Sequence, residues 1–258
     1  MTVRYGVLAD IHANPFALAA ALTTLEAARV DRFLCLGDIV GFGPHPNECV
    51  RRIAELDAVT VAGNHDLIAV GRRSPDGAGA LARRSLEWTR ERLEPASRRF
   101  LEGLPVAALP EPGIVMTHGA LGDPGTYVRG PREALAQLAR LRSEHPGARL
   151  LLVGHTHHPM AVGESTGTLA RHGRRVALPA GDRILLNPGS VGQSRGIRPH
   201  GSVLVLDTGT REAHFHTVRY DVGACRRALE AHGLPARSHH RRPSPRAWAR
   251  RARRALRG

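Results

Sequence analysis

The 258-residue chain contains no lysine; all 37 of its basic residues are arginine. Alanine is abundant as well, a bias that GC-rich codon usage explains, so the formal charge of +14 is not in itself a sign of nucleic-acid binding. Cysteine is scarce. Cys35, Cys49 and Cys225 are an odd, scattered set with no CxxC pair, which excludes a disulfide scaffold and a cysteine zinc ribbon. No run approaches the ~18 consecutive apolar residues of a membrane span. The first residues pass straight into a strand-like segment without a secretory pattern. No internal repeat is present. At 42% hydrophobic and 23% charged residues, the chain can bury a sizeable core, and a cytoplasmic globular protein is the expectation.

The charge is unevenly placed. Residues 223–258 hold 11 arginines and a single acid, Glu230, whereas residues 1–222 hold 26 arginines and 22 acids. The first 222 residues therefore read as the functional domain, and residues 223–258 as a basic tail, one short helix candidate followed by Arg- and Pro-rich, flexible sequence. Within it, Trp248, Ala252 and Leu256 would share a helical face with arginines elsewhere, an arrangement that could contact nucleic acid or an anionic surface.

Apolar runs at Val3 to Leu8, Phe33 to Leu36 and Ala58 to Ala62 predict strands. Between them lie helical patterns, one opened by Pro15 and one with Asn47 as candidate cap. Strand, helix, strand, helix, strand is the order of a parallel sheet covered on both faces. Helices are predicted over 79–93, 95–103 and 131–144, the last with Leu135, Leu138 and Leu141 on one face. Further strands are predicted at Ile114 to Thr117 and Leu150 to Val153. Beyond them the pattern turns to strands at Val176–Leu178, Ile184–Leu186, Val203–Leu206 and Ala213–Val218.

The polar residues that can ligate metals fall at one kind of place. Asp10 and His12, Asp38, Asn64 and His65, His118, and His155 and His157 each follow an apolar strand candidate. In open α/β sheets the carboxyl ends of strands line the ligand crevice, so separate strands would bring these side chains to one edge. A carboxylate, amide and imidazole set without thiolate suits Mn²⁺, Fe or Zn²⁺ better than Cu(I) or Ca²⁺. Singly, such residues are more often turn or cap residues; their joint placement argues for a metal site. Among the other histidines, His45 could reach substrate, His158 reads as a solvated neighbour of His157, and His145, His172, His214, His216 and His232 read as surface residues. Cys35 reads as inert core.

Asp10-Ile11-His12, Gly37-Asp38, Gly63-Asn64-His65-Asp66, Thr117-His118-Gly119 and Gly154-His155-Thr156-His157 match, in order and spacing, the motifs of the calcineurin-like metallophosphoesterases. The segments Gly37–Pro44 and Asn187–Gln193 resemble the small bacterial and archaeal phosphodiesterase branch. This resemblance spans most of the chain. It implies an α/β fold, a four-layer αββα sandwich, with the parallel sheet first and the C-terminal strands largely building the second. It also implies two divalent ions, Mn²⁺ first and Fe, Zn²⁺ or Ni²⁺ as alternatives, bridged by Asp38. Asp10, His12 and His157 would complete one ion, and Asn64, His118 and His155 the other. A hydroxide between them would attack phosphorus, and His65, oriented by Asp66, would give the leaving group its proton.

The expected substrate is a phosphodiester, a small molecule or a nucleotide. A phosphomonoester or a dinucleoside polyphosphate is the alternative, and a non-catalytic scaffold or a nucleic-acid-binding protein is the alternative outside enzymes. The protein Ser/Thr phosphatase branch usually carries an Asp-Arg-Gly after its second motif; here Asp38 is followed by Ile-Val-Gly, and Arg72 is the candidate for that branch's second arginine. Arg195 and Arg198 could supply phosphate contacts instead.

Overall fold

The computed structural model describes residues 2–170 and 175–241. In chain order the strands are β1 (Arg4–Leu8), β2 (Arg32–Cys35), β3 (Val59–Thr60), β4 (Ala107–Glu111), β5 (Ile114–Thr117) and β6 (Leu150–Leu152). They continue with β7 (Met160–Gly163), β8 (Gly167–Ala170), β9 (Arg175–Ala177), β10 (Ile184–Asn187), β11 (Gly201–Asp207) and β12 (Glu212–Val218). The helices are α1 (Pro15–Ala27), α2 (Pro46–Glu55), α3 (Asn64–Ala69), α4 (Ala80–Arg92), α5 (Pro95–Gly103), α6 (Pro131–Glu144) and α7 (Val222–Ala231).

Local chemistry sets the helix starts. Asn14 caps α1, its side chain accepting from the Ala17 N–H at 3.1 Å, and Pro15 occupies the first helical position. Asn47 does not cap α2. Pro46 starts that helix one residue earlier, with His45 ahead of it, and the Asn47 amide instead bonds Arg92 and Glu94, tying α2 to the α4–α5 junction. On α6 the buried positions are Ala134, Leu138 and Leu141, while Leu135 stays exposed.

The strands form two six-stranded mixed sheets, ordered β3-β2-β1-β11-β12-β9 and β4-β5-β6-β10-β7-β8. The expected division between them is corrected. β1, β2 and β3 run parallel in the first sheet, but β5 and β6 are in the second, where β10 extends them in parallel. The C-terminal strands divide likewise: β11 pairs antiparallel with the free edge of β1, and β12 and β9 follow it. Hydrogen-bonding demand is the reason, because β1 has two edges and β2 can satisfy only one.

Alternation along the strands then builds three apolar layers. Leu8, Cys35, Val203 and Val205 face α1 and α2. Val7, Leu34, Leu204 and Leu206 meet Met116, Leu152, Ile184 and Leu186 between the sheets. Val115, Leu151, Val153 and Leu185 face α6. This is the four-layer αββα arrangement. Among the described residues, no helix is long and apolar enough to cross a membrane.

The helix expected at the start of the basic stretch is present. α7 buries Cys225 and Leu229, with Leu234, against Phe16, Trp88 and Tyr220, and a 3-10 turn, Ala236–His239, follows it. Apolar residues interleaved with the arginines make this stretch part of the body. Trp248, Ala252 and Leu256 lie outside the described residues, as does His172.

Candidate metal centre

The carboxyl ends of β1, β2, β3, β5 and β6 converge, although they belong to two sheets. Asp10 and His12 follow β1, Asp38 follows β2, Asn64 opens α3 just past β3, His118 follows β5, and His155 and His157 follow β6. Ligand atoms of Asp10, His12 and His157 lie within 4.8 Å of one another; so do those of His12, Asp38 and His65, and those of Asp38, His118 and His155. Asp38 belongs to two of these groups and so joins the set. Asp10 Oδ1 is 3.2 Å from His157 Nε2, and Asp38 Oδ2 is 3.2 Å from His118 Nε2.

Backbone geometry turns the side chains inward. Asp10, His12, Asp38, His155 and His157 all have positive φ, between 50° and 64°. Non-glycine residues pay on the order of 1–3 kcal/mol each for such strained conformations, which persist where surrounding structure enforces them, typically at functional sites. Here the enforcement is visible. Asp10 N–H bonds the Gly37 carbonyl and His12 N–H the Asp38 carbonyl, locking the β1 and β2 loops together.

Each of the four imidazoles other than His65 is oriented by a backbone carbonyl. Nδ1 of His12, His118 and His157 lies 3.2, 2.6 and 2.6 Å from the carbonyls of Val40, Leu36 and Gln193, leaving Nε2 for the centre. His155 is reversed, with Nε2 3.0 Å from the Gly125 carbonyl, so its Nδ1 is the free nitrogen. Such outer contacts fix tautomer and ring direction in metal sites.

The donors fit divalent cations. Asn64 Oδ1 is buried without a hydrogen-bond partner, and Asp10 Oδ1 and His118 Nε2 approach His157 and Asp38 at 3.2 Å without a well-directed bond; buried polar atoms are rarely left so unless something else satisfies them. Burial would raise the carboxyl pKa of Asp10 and Asp38, but the surrounding imidazoles hold both well below the usual carboxylate range. Burial alone would lower His118; the Asp38 and Asp10 carboxylates push it up to about 9. Burial, reinforced by His118, takes His155 down to about 3.

His65 and Asp66 do not pair as expected. Asp66 Oδ1 accepts the N–H groups of Ile39 and Val40, and Oδ2 that of Gly63, while His65 Nδ1 is buried without a partner. A carboxylate at the third helical position is committed to backbone donors, so Asp66 braces the Asp38 and Asn64 loops instead of the His65 ring. His65 itself is steered by its N–H, which donates to Asp38 Oδ1 at 2.8 Å, and by Phe42, whose ring centroid is 4.7 Å away. Burial lowers its pKa, with His157, His118 and Arg195 acting in the same direction against Asp38.

The other candidates separate clearly. His45 packs against Phe16 and His232, outside the ligand set. Arg72 donates to the carbonyls of Glu102 and Leu104 and is structural. Arg198 is exposed. Arg195 reaches the site: its guanidinium lies 5.9 Å from the Tyr127 ring, and its charge bears on His65. Sequence reasoning missed Tyr127, which stacks on His155, and Gln193 as the orienter of His157. It also missed the Arg73–Asp123 pair at 2.8 Å, which holds the loop carrying Gly125. No motif marks these residues; only Gln193 lay in a segment singled out beforehand.

A metallophosphoesterase of Sphaerobacter thermophilus is 32% identical in sequence and superposes with a TM-score of 0.77, over 91% of this chain and 96% of that one. A hypothetical protein of Pyrococcus horikoshii shares the fold, with a TM-score of 0.74 at 21% identity, over 92% and 96% of the two chains. An uncharacterized protein of Methanocaldococcus jannaschii is 29% identical over 232 residues, 89% of this chain and 93% of its own. The description "calcineurin-like phosphoesterase superfamily domain" matches residues 3–211, and by that match the chain belongs to the calcineurin-like phosphoesterase superfamily.

Proposed function

We propose that the protein hydrolyses phosphodiesters, taking up water and releasing a phosphomonoester and an alcohol, with two divalent cations at the Asp38 cluster. One observation carries this reading: Asp38 shares one donor group with His118 and His155 and another with His12, which itself groups with Asp10 and His157, so this carboxylate stands between the two candidate ligand sets. Asp10, His12 and His157 would hold one and Asn64, His118 and His155 the other. Oxygen and nitrogen donors favour Mn²⁺, with Fe, Zn²⁺ or Ni²⁺ as alternatives. When bound, such a pair polarises phosphoryl oxygens and supplies a nucleophilic hydroxide near neutral pH.

The remaining work falls to the chain. Arg195 lies on the Tyr127 side of the cluster, where a guanidinium can take a phosphate oxygen. His65 would protonate the departing alkoxide. Its pKa is held down by burial in the free protein, and an anionic phosphate beside the ring favours its protonated form.

A metal-by-substrate screen tests the reading. Mn²⁺, Fe²⁺, Zn²⁺, Ni²⁺ and Mg²⁺ would be set against a bis-aryl phosphate, an aryl monophosphate, 2′,3′- and 3′,5′-cyclic nucleotides and dinucleoside polyphosphates. Metal-dependent turnover of diesters above the monoester is expected. Preference for the monoester with every metal would overturn the diesterase assignment.

A further inference from the structure

The segment that follows α7 lies against the loop that orients His157. The Gln193 carbonyl sits 2.6 Å from His157 Nδ1, and the same residue's side-chain Nε2 donates to the Ser238 carbonyl at 2.8 Å. Both Gln193 and Ser238 are fully buried. On either side, Ser194 N–H donates to the His239 carbonyl at 3.2 Å and Arg241 N–H to the Ser194 carbonyl at 2.9 Å. These two backbone bonds make a parallel bridge between Ser194 and His240, and the His240 side chain adds a contact, Nε2 lying 3.0 Å from the Gly196 carbonyl. The inner face of the loop is equally engaged: Ser190 Oγ donates to the Asp10 carbonyl and accepts the Gln193 N–H, and Gly192 N–H bonds Asp10. The loop is thus clamped between the β1 ligand turn and the C-terminal segment.

The three imidazoles that present Nε2 are not supported alike. His12 and His118 lean on Val40 and Leu36, which lie in the β2 strand-end loop, inside the N-terminal half. Among the described residues, only the orienter of His157 is held by chain beyond residue 222. An imidazole ligates through Nε2 only while Nδ1 carries the proton and the ring is aimed, and the carbonyl at Nδ1 sets both.

We propose that residues 234–241 act as a strap that positions His157, with Gln193 as the clasp, so that the cation at Asp10, His12 and His157 depends on the C-terminal segment. This rests on reading His157 as a metal ligand. Gln193 and Ser238 are positioning residues; neither touches substrate. α7 supplies the anchorage, because Leu229 and Leu234 are buried against Phe16 and Trp88.

The test uses the full-length protein and Mn²⁺ alone, measured by equilibrium dialysis, with far-UV circular dichroism to check folding. Gln193→Leu keeps the backbone carbonyl but removes the donor to Ser238. It should weaken one Mn²⁺ per chain on the order of tenfold, the usual scale for a lost outer partner of a ligand, and leave the second ion's affinity as it was. Leu234→Asp, which loosens the strap from its anchorage, should reproduce that loss. In a His157→Ala background Gln193→Leu should cause no further weakening, since the ring it steers is gone. Equal weakening of both ions, the same loss with His157 absent, or full affinity in both variants would each overturn the strap. A wild-type protein that binds no Mn²⁺ would instead sink the metal reading, and this inference with it.

Discussion

Tyr127 lies flat against His155, with ring centroids 3.8 Å apart and planes 19° from parallel. Arg129 covers the Tyr127 ring at 4.2 Å. One imidazole is therefore fixed from two directions, by the Gly125 carbonyl at its edge and by an aromatic face across its plane. Tyr127→Leu should remove the second restraint and lower both metal affinity and kcat by about tenfold, the scale of other outer contacts in metal sites. Tyr127→Phe retains the face and should recover most of the loss. Metal titrations on the two variants, read together, check this.

Gly41 has φ +84°, and a methyl group on it would run into His65 Nδ1. Gly41→Ala should displace the His65 ring from its place beside Phe42 and leave the other imidazoles untouched. The expected result is a large fall in kcat with metal content close to that of the wild type. Elemental analysis alongside turnover separates this from general loss of the site.

Asp66 and His65 are adjacent but serve different ends, and their variants should divide accordingly. Asp66→Asn turns an amide N–H towards a backbone donor it formerly accepted, at a cost of about 1–3 kcal/mol in stability; urea unfolding reads this directly. His65→Ala should change stability little but slow turnover most for substrates with poor leaving groups. Equal sensitivity of good and poor leaving groups would remove His65 as the proton donor.

The candidate ligand residues were legible in the sequence because each follows a short apolar run, and that pairing survives any arrangement of strands. Partition between sheets was not legible. β5 and β6 have the same aliphatic character as β1 and β2, and pattern alone does not say which edge β10 or β11 will join. The role of Asp66 was hidden for a related reason: its partners are backbone N–H groups of Ile39, Val40 and Gly63, which carry no sequence signature. α7 was legible as a short helix, but its docking through Leu229 and Leu234 was not, because its partners Phe16 and Trp88 lie far away in sequence.

Arg195 and Arg72 offer a sharp contrast. Arg72 spends its guanidinium on the carbonyls of Glu102 and Leu104, whereas Arg195 Nε is buried without a partner beside the cluster. Arg195→Ala should raise KM by roughly ten- to a hundredfold, the scale of one lost charge-assisted hydrogen bond of about 1.5–3 kcal/mol. Arg72→Ala should act on stability instead. Steady-state kinetics and thermal unfolding on both variants decide the point.

Metal uptake should be coupled to pH through His118. In the metal-free protein its pKa stands at about 9, above the ordinary 6.5, because the carboxylates of Asp38 and Asp10 outweigh burial. Its proton therefore stabilises the metal-free fold below the unfolded value, and that contribution is lost as pH rises through about 9. A cation must displace the same proton to reach Nε2. His155, lowered to about 3, and His12, held well below its ordinary value, are already neutral at pH 7 and release none. Apparent Mn²⁺ affinity should accordingly climb by up to about tenfold per pH unit between roughly pH 6 and 9, then level off. Calorimetry in buffers of different ionisation enthalpy should register at least one proton released per chain at neutral pH, that of His118, beside any from a water the ions ionise. Affinity that is flat across this range would mean His118 is not a ligand.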